Sequence, residues 1–571
     1  MNWHNKTQLQ DLPLQGTSHE TIIQLLLESR GLRTKEEQDQ FFNPKHPNKI
    51  SLSELEITSE AMNKAVSRIQ KAIDTKEKVV IYGDYDADGV SATAVMWHGL
   101  ATLGVPAIPF IPHREKHGYG LSQAGIDEIL EKHQPDLIIT VDNGIVAHEP
   151  AKYVASKNID LIITDHHQTD GQVPEATSII HSDKVCGTAI AWVFVRELFQ
   201  HFHRPQKLVE ELLDLVAIGT IADMMPMIGL NRSLATYGLE VLTTSQRPGI
   251  VAMKEEAGIA EGTTMSTYHV GFVLGPRINA MGRIDHGTDA LRLLCLKDVT
   301  KARELAIHLG ETNKDRQDIT VSAVELAMEM YEKDEELQQQ HIIVIEHEEF
   351  HEGVVGLVAG KLVEKYHKPA IVISKGKTEG KGSARSVSGV NIIELIRSVD
   401  SYLLGAGGHP GAAGLSVANS KFGAFKKAIE AKALEVIDKE LLVPSLSIDL
   451  EIPLEVATLE LYEKLQAFAP FGIGNNRPVF ASDVEIVDHR LIGKQSTHLK
   501  MTVSASEEGS LFVDSIGFGM HESASLIEQT TNAKIAYTID KNEWRGNTSL
   551  QLVLKGIEEQ NKDFFPETES T

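Results

Sequence analysis

Cysteine is almost absent from this sequence. Its 571 residues include two, Cys186 and Cys295. They stand far apart in unrelated contexts, which excludes a disulfide framework and the close cysteine spacing of a structural zinc site. Few, unpaired cysteines are typical of a reducing compartment, so we expect a cytoplasmic location.

Long apolar runs are absent too. No stretch approaches the roughly 20 consecutive apolar residues that a membrane-spanning helix needs. The first residues, Met1 to Lys6, are not followed by the apolar segment of a secretory signal peptide. We therefore expect no signal peptide and no membrane partner.

An excess of positive charge is missing: 55 Lys and Arg stand against 80 Asp and Glu, a net charge of −25. This balance excludes a protein that coats DNA through its overall charge. It does not exclude a nucleic-acid enzyme, because bound divalent ions and a local basic patch can reverse the potential inside one cleft. The members of a candidate basic patch are Lys361, Lys365, Lys368, Lys375, Lys377, Lys381, Arg385 and Arg397.

The order of apolar patterns predicts several domains. Between residues 51 and 235, continuous apolar runs at 78–82, 136–141 and 159–164 alternate with helical patterns, which indicates a parallel sheet buried on both faces. Short alternating runs near the end of the chain predict a small β-barrel. The expected segments are an N-terminal arm (1–50), the first α/β domain (51–235), a mostly helical connector (236–340), a second α/β domain (341–438), the barrel (439–557) and a disordered tail (558–571).

Acidic residues follow the predicted strands of the first domain. They are Asp84, Asp86 and Asp88 after the first strand, Asp142 after the second, Asp165 with His166 and His167 after the third, and Asp223 after a later apolar segment. Each motif alone is also explained as a turn or a helix cap. Because ligands bind beyond the carboxyl ends of parallel strands, we expect all of them to line one crevice.

Carboxylates this close together would repel one another unless cations lay between them. Aspartate oxygens with imidazoles, and without thiolates, favour Mn²⁺, with Mg²⁺ as the alternative, over zinc. Two such ions about 3.5–4 Å apart can activate a water and stabilise displacement at phosphorus. The sequence therefore predicts a two-metal site for phosphoester chemistry.

The same motifs resemble those of the DHH phosphoesterase superfamily. The matching segments are 84–91, 142–144, the triplet Asp165-His166-His167, 222–223, and 407–414, which resembles the hallmark of the DHH-associated domain. Further segments, at 118–122, 274–283, 382–387 and 468–475, are similar to the RecJ family within that superfamily. One departure is Tyr82, which stands where many family members have histidine.

The resemblance implies a role for each matching residue. The implied metal ligands are Asp84, Asp86, Asp142, His166 and Asp223, and the implied catalytic residues are Asp142, His166, His167 and Asp223. Asp88 and Asp165 would orient the ligands, although Asp88 is equally explained as a helix cap. His167 would hold the second ion or contact the scissile phosphate.

Substrate contacts are implied as well, with ordinary polar packing as the alternative for each. They are Arg114, Tyr119, Arg277, Asn279, Arg283, His351, Ser383, Arg385, Gly408 and His409. In the barrel, the candidates for gripping a single strand are Lys494, His498, Lys500, Phe518, Trp544 and Arg545, although such residues are as often core or rim.

The fold implied by the resemblance is a multidomain α/β protein. It comprises a DHH parallel-sheet domain, a helical connector, a DHH-associated α/β domain and a C-terminal OB-like β-barrel. The implied activity is a single-stranded-DNA-specific 5′→3′ exonuclease that uses two metal ions, releases 5′-mononucleotides, and acts in DNA repair and recombination. Its implied partners are single-stranded DNA, a DNA helicase and a single-strand-binding protein.

Two alternatives stay open. One is a DHH phosphodiesterase for small nucleotides, which would need neither the long connector nor the barrel. The other is a catalytically silent DNA-binding replication subunit, which would be expected to have lost acidic positions that are all present here.

Overall fold

The structure is a computed structural model that describes residues 2–5, 18–505, 511–527, 531–544 and 546–559. Arg545 and the tail from residue 560 lie outside the described residues, as does the side chain of Trp544. The chain forms two compact units, one of residues 45–443 and one that combines the two ends of the chain. Every described helix is too short or too polar to span a bilayer.

The beginning of the chain belongs to the same unit as its end. Two helices lie here, each opened by a side chain that accepts a backbone N–H: Ser18 for the first and Thr34 for the second. Their apolar residues, among them Ile22 and Phe41, share a core with the C-terminal barrel. The elements are β1 (Asn2–Asn5), α1 (His19–Ser29) and α2 (Lys35–Phe42).

The other unit opens with a buried parallel sheet, as predicted. Five strands lie in the order β3-β2-β4-β5-β6, and each β-strand is followed by a helical crossover or a loop. The strands are β2 (Val79–Tyr82), β3 (Ala107–Phe110), β4 (Leu137–Val141), β5 (Asp160–Asp165) and β6 (Ser178–His181). The helices are α3 (Ser59–Thr75), α4 (Ala87–Thr102), α5 (Arg114–His117), α6 (Gln123–Lys132), α7 (His148–Ser156) and α8 (Gly187–His201).

This strand order determines where a ligand can bind. The chain moves from β2 to one side of the sheet and then returns to its other side at β4. Loops leaving the carboxyl ends of β2 and β4 therefore diverge and leave a crevice between them, which is the usual ligand site of such sheets.

A helical region follows, as predicted. Its longest helix, α15, has 34 residues, and a π-helical segment, His269–Leu274, runs directly into α13. The helices are α9 (Lys207–Glu210), α10 (Leu213–Ala222), α11 (Gly229–Thr244), α12 (Pro248–Glu256), α13 (Gly275–Ile284), α14 (Gly287–Cys295), α15 (Val299–Glu332) and α16 (Glu335–Gln339).

A second, mixed sheet completes this unit. Its order is β10-β11-β9-β8-β7, with β7 and β8 parallel and the other neighbours antiparallel. The strands are β7 (Ile343–His347), β8 (Ala370–Lys375), β9 (Glu379–Arg385), β10 (Gly405–His409) and β11 (Ala412–Ala418). The helices are α17 (Val355–Tyr366), α18 (Ile392–Arg397) and α19 (Phe422–Val436).

The residues of the expected basic patch are spread over several elements of this second sheet domain. Most of the patch lysines are paired with a nearby carboxylate. The ion pairs are Lys361 with Glu364, Lys365 with Glu332, Lys375 with Glu346, and Lys381 with Glu352. Lys368 donates to two backbone carbonyls instead. Counting charges along the chain missed these partners because several come from distant segments.

The C-terminal region is a closed barrel, as predicted. Five strands follow one another in the order β14-β15-β16-β18-β17, and pairing of β14 with β17 closes the ring. β18 includes Glu558 and Glu559, which the sequence assigns to the tail. The strands are β12 (Ser445–Ile448), β13 (Leu450–Glu451), β14 (Phe480–Ile492), β15 (His498–Ser504), β16 (Phe512–Gly517), β17 (Asn532–Trp544) and β18 (Asn547–Glu559). The helices are α20 (Leu459–Gln466) and α21 (Ala524–Ile527).

Candidate metal centre and substrate cleft

The turn after β2 holds two acids in a fixed geometry. Asp86 caps α4, because its Oδ1 accepts the backbone N–H groups of Asp88 and Gly89, both at 3.0 Å. Asp84 is buried at the end of the strand, where its Oδ1 accepts the N–H of Tyr85 at 2.6 Å. A strand, a tight turn and a capped helix therefore fix both carboxylates.

Asp142 follows β4 in an unusual backbone conformation. Its φ of 63° is left-handed, a conformation that a non-glycine residue adopts at a cost and that is common at functional sites. Its neighbour across the crevice is Gly187, the first residue of α8, where any Cβ atom would overlap the Asp142 carboxylate. Glycine thus allows the start of α8 to approach this acid closely.

Asp165 orients the two histidines that follow it. Its Oδ1 accepts the N–H of His166 at 2.7 Å and lies 2.7 Å from Nδ1 of His167, while its Oδ2 accepts the N–H of Ile145. The other ring nitrogen of His167 lies 2.7 Å from the phenol oxygen of Tyr119. The buried carboxylate therefore fixes the ring of His167 between Asp165 and Tyr119.

His166 lies at the centre of the acidic cluster. Its Nε2 is 3.1 Å from Asp142 Oδ1, 3.8 Å from Asp223 Oδ2 and 3.8 Å from Asp88 Oδ2. Within the described part of the chain, two groups of side chains bring three or more ligand atoms within 4.8 Å of one another. They are Asp142 with His166 and His167, and Asp88 with His166 and Asp223.

The carboxylate of Asp88 already accepts several hydrogen bonds. Its carboxylate accepts the N–H of Gly187 at 2.7 Å and both the N–H and the hydroxyl of Thr188, at 2.9 and 2.6 Å. These bonds tie the start of α4 to the start of α8. Sequence reasoning missed Thr188, because no motif marks it and its role depends on a contact between distant helices.

Burial and mutual repulsion shift the pKa values of the clustered side chains. Loss of solvent, and then the neighbouring carboxylates, raise the pKa of Asp84, Asp86, Asp142 and Asp223 above the ordinary range. Burial alone would lower the pKa of His167, but its bond with Asp165 and the other nearby acids raise that pKa to about 9.

The donor set fits divalent cations. Asp84 Oδ2 is buried without a hydrogen bond, and Asp142 Oδ1 has the ring of His166 beside it but no aligned hydrogen bond. Buried carboxylate oxygens without donors are costly, and a bound cation would satisfy them. Aspartate and imidazole ligands without thiolates suit Mn²⁺ and Mg²⁺.

A polar cleft of about 480 Å³ opens beside this cluster. The first domain lines it with Tyr85, Arg114 and Tyr119, the helical region with Arg283, and the second sheet with Ser383, Arg385 and the backbone of 405–407. Because Tyr119 also contacts His167, the cleft adjoins the metal centre.

The three arginines make this cleft suitable for an anion. Burial, with Arg114 and Arg385 close by, lowers the pKa of Arg283 to about 10, so the group stays charged at neutral pH. Arg385 donates to Ser383 Oγ at 3.0 Å, and Arg114 lies over the ring of Tyr85. Guanidinium groups of this kind bind phosphate through two parallel hydrogen bonds.

Several residues expected in the cleft lie elsewhere. Arg277 pairs with Glu256 at 2.6 Å and donates to the carbonyl of Val273, so its guanidinium is already used. Asn279 accepts the N–H of Ala87 and thereby supports the start of α4. Neither side chain lines the cleft, and each already has a hydrogen-bond partner.

Three other expected contacts lie next to the cleft. His351 lines a neighbouring cavity together with Arg114 and Arg283. The cleft wall is formed by residues 405–407 rather than by Gly408 and His409 at the end of β10. His409 is nevertheless near Arg385: burial, and then this guanidinium, lower its pKa.

Tyr82 supports a loop and does not face the acids. Its ring is fully buried and its hydroxyl donates to the carbonyl of Gly120 at 3.1 Å. The same hydroxyl lies where a side chain on Gly125 would have to be. The residue that replaces the family histidine thus supports the segment that carries Tyr119.

Comparison with known proteins gives a consistent result along the chain. Residues 78–220 match the DHH family N-terminal domain, residues 339–435 the DHHA1 domain, and residues 448–556 the RecJ OB domain. The single-stranded-DNA-specific exonuclease RecJ of Bacillus subtilis is 35% identical over 548 residues, which are 94% of this chain and 67% of that protein. RecJ of Escherichia coli is 31% identical over 564 residues, 94% of this chain and 95% of that protein.

Solved structures agree with the sequence comparisons. The crystal structure of RecJ from Thermus thermophilus with Mn²⁺ matches with a TM-score of 0.81 and 26% identity, over 98% of this chain and 80% of that one. The same protein with Mg²⁺ matches with a TM-score of 0.75 and 25% identity, over 98% and 79% of the two chains. The domain order, the identity over nearly the whole length and the shared fold show that this chain belongs to the RecJ family of the DHH superfamily.

Proposed function

We propose that the protein is a metal-dependent exonuclease that degrades single-stranded DNA from its 5′ end and releases 5′-mononucleotides. The observation that carries this proposal is a buried cluster of aspartates around His166 that adjoins a cleft lined by three arginines. Such a cluster suits phosphodiester hydrolysis, and the family to which the chain belongs contains single-stranded-DNA-specific exonucleases.

The ligands of two divalent cations would be Asp84, Asp86, Asp142, His166 and Asp223. Asp142 would be a central ligand of these ions, because its carboxylate is near His166 and belongs to the most buried part of the cluster. When bound, Mn²⁺ or Mg²⁺ would activate a water for attack and neutralise charge on the phosphate. Asp88 and Asp165 would position α8 and the histidines respectively.

His167 and Tyr119 would contact the reacting phosphate. The bond between Asp165 and Nδ1 favours the protonated form of His167, which can donate from Nε2, where Tyr119 now lies. A donor at this position would stabilise the negative charge that develops on the phosphate oxygens. Tyr119 is 58% exposed, so its ring is also available to a base of the substrate.

The arginine cleft would hold the 5′ end of the strand. Arg114 and Arg385, with the Ser383 hydroxyl and the backbone of 405–407, can surround one phosphate group. Holding the terminal phosphate at a fixed distance from the metal centre explains both the 5′ polarity and the release of single nucleotides.

The barrel would also bind single-stranded DNA. Phe518 is 62% exposed and its ring lies 5.5 Å from that of His498, a pair suited to stacking on bases. Lys500 is paired with Asp514, which leaves Lys494 as the stronger candidate for a backbone phosphate. We retain 51–235, 236–340, 341–438 and 439–557 as the proposed domain limits.

Partners and location follow from this activity. An enzyme that needs a free single strand depends on unwinding, so a DNA helicase and a single-strand-binding protein are the proposed partners, and DNA repair and recombination the proposed processes. Both cysteines are unpaired, which supports a cytoplasmic location.

Digestion of a 3′-labelled single strand tests the proposal. We expect Mn²⁺- or Mg²⁺-dependent shortening from the 5′ end, while the same strand in a blunt duplex is spared. The Asp142→Asn variant should lose activity by about a thousandfold or more but retain DNA binding. Cleavage of a dinucleotide without attack on the long strand would contradict the proposal and favour a small-nucleotide phosphodiesterase.

A further inference from the structure

A second cavity adjoins the substrate cleft and has a different lining. It measures about 250 Å³ and lies on the other side of Arg114 and Arg283, which line both cavities. Three histidines complete its basic side: His113, His286 and His351. His113 and His286 cap α5 and α14, and the proposed exonuclease reaction makes no use of them.

The hydrogen bonds of the three histidines fix their tautomer. In each, Nδ1 accepts a backbone N–H two residues further on: Glu115 at 3.2 Å for His113, Thr288 at 3.1 Å for His286, and Gly353 at 3.0 Å for His351. A backbone N–H can only donate, so the proton of each neutral ring must be on Nε2. Each ring therefore offers one N–H donor.

This arrangement favours an anion over a metal ion. A metal ligand needs a free lone pair, but here Nδ1 is occupied and Nε2 carries the proton. Consistently, neither of the two groups of clustered ligand atoms found in the described residues includes these histidines. The rings of His113 and His286 lie close together, 5.5 Å between centroids, so their donors can serve one small ligand.

Three carboxylates line this cavity beside the two arginines, and two of them have partners outside it. Asp285 lies 3.0 Å from His308 Nε2, and Glu352 pairs with Lys381 at 3.3 Å. Glu115, the third, is exposed. Two arginines and three imidazole N–H groups supply hydrogen-bond donors for a phosphate group, and the cavity volume is below the range of about 300–1,000 Å³ that larger organic ligands occupy.

We propose that the cavity formed by His113, His286, His351, Arg114 and Arg283 is a second phosphate-binding site, which takes inorganic phosphate or the phosphate group of a 5′-mononucleotide. Because Arg114 and Arg283 line both cavities, a phosphate bound here draws the two guanidinium groups away from the substrate cleft. The site would thus reduce binding of the DNA 5′ end when phosphate or product accumulates. This inhibitory effect rests on the proposed nuclease function, whereas phosphate binding itself does not.

The matched variant is His113→Asn combined with His286→Asn. Asparagine keeps an oxygen that can accept the same backbone N–H, and its shorter side chain withdraws the donor that the imidazole Nε2–H extends outward. His347→Asn is the control, because His347 Nδ1 makes the same kind of bond to Glu349 and does not line this cavity. Equal melting temperatures in phosphate-free buffer would show that the variants are folded, and the single variants serve if the double variant is unstable.

Two measurements on the full-length, Mg²⁺-loaded protein test the proposal. The first is calorimetric titration with inorganic phosphate and with dTMP in the absence of DNA. The second is the inhibition constant of the same two anions against digestion of a 5′-phosphorylated strand. In the double variant, we expect both anions to bind at least about fivefold more weakly and their inhibition constants to rise by a similar factor. Basal kcat and KM should be unchanged. His347→Asn should behave as wild type.

The possible results distinguish inorganic phosphate from a mononucleotide as the ligand. They also distinguish failure of the proposed site from failure of the proposed nuclease function. A fivefold loss for dTMP without a loss for inorganic phosphate would still support the site, with the mononucleotide as its ligand. A raised KM for DNA in the double variant would contradict the proposal, because it would make the cavity part of the binding site for the strand. Equal calorimetric affinities in wild type and double variant would overturn it. If the protein lacked nuclease activity, calorimetry alone would still decide whether the site exists.

Discussion

The phenol oxygen of Tyr119 lies 2.7 Å from Nε2 of His167, and Nδ1 of the same ring lies 2.7 Å from Asp165. A loop from one end of the sheet and the motif that ends β5 therefore meet at one imidazole. The contact connects the cleft with the metal centre, since Tyr119 lines the former and His167 belongs to the latter.

Removing the Tyr119 hydroxyl should affect turnover more than binding. In Tyr119→Phe the ring remains available for stacking, but His167 loses the partner that helps to fix its orientation. We expect kcat to fall roughly tenfold with KM changed less than twofold. Tyr119→Ala should raise KM as well, because the stacking surface is also lost. Steady-state kinetics on a single-stranded oligonucleotide provides the check, and an unchanged kcat in Tyr119→Phe would contradict the assigned role.

Tyr82 is expected to stabilise the fold without binding metal. Tyr82→Phe removes its hydrogen bond to Gly120 and should lower the free energy of unfolding by about 1 kcal/mol. Tyr82→His would restore the residue common in the family, but its shorter side chain would leave a space beside Gly125 and should destabilise the protein further. Denaturant unfolding with and without Mn²⁺ measures both effects. Tighter metal binding by Tyr82→His would show that the position can face the ions after all.

Substitution of Arg385 should affect substrate binding, whereas substitution of Arg277 should affect stability. Arg385 lines the cleft, so Arg385→Ala should raise KM for a 5′-phosphorylated strand more than tenfold while the melting temperature changes little. Arg277 is paired with Glu256 outside the cleft, so Arg277→Ala should lower the melting temperature and leave KM unchanged. Kinetics and thermal unfolding of the two variants side by side provide the test. The reverse pattern would contradict the described placement of the two side chains.

The stabilising effect of metal should depend on pH. In the metal-free folded protein the pKa values of Asp84, Asp142 and Asp223 are raised above those of the unfolded chain. The folded state then holds more protons, so the stability contributed by these groups is present at acid pH and is lost as pH rises through the raised pKa values. Cations bind the deprotonated carboxylates and remove this penalty.

We therefore expect the gain in melting temperature on adding Mg²⁺ to increase between about pH 5.5 and pH 8.5. Thermal unfolding with Mg²⁺ and with EDTA across this range measures the gain directly. Asp142→Asn is the control, in which the gain should be small at every pH. A gain that is independent of pH in the unmodified protein would argue against this cluster as the metal site.

Much of the fold could be predicted from the sequence because it rests on local patterns. Continuous apolar runs marked the buried strands β2, β4 and β5, and the acids that follow them marked one edge of the sheet. From strand ends alone, Asp84, Asp142 and His166 could be expected to meet, and the structure brings them together.

The features of the site that the sequence did not predict depend on contacts between distant segments. Nothing local distinguishes Arg385, which lines the cleft, from Arg277, which is paired with Glu256 on another helix. Several lysines of the expected basic patch are paired with acids such as Glu332 and Glu346, which the linear pattern did not connect with them. His113 and His286 had no sequence signal, and the cavity that they form with His351 was not predicted because the three residues come from separate turns.

The central claim is that the acidic cluster around His166 is a two-metal centre. Crystals grown with Mn²⁺ and measured at the manganese absorption edge would locate the ions directly by anomalous scattering. We predict two peaks roughly 3.5–4 Å apart, coordinated by Asp84, Asp86, Asp142, His166 and Asp223, and fewer in Asp142→Asn. Peaks elsewhere, or none within reach of His166, would contradict the account.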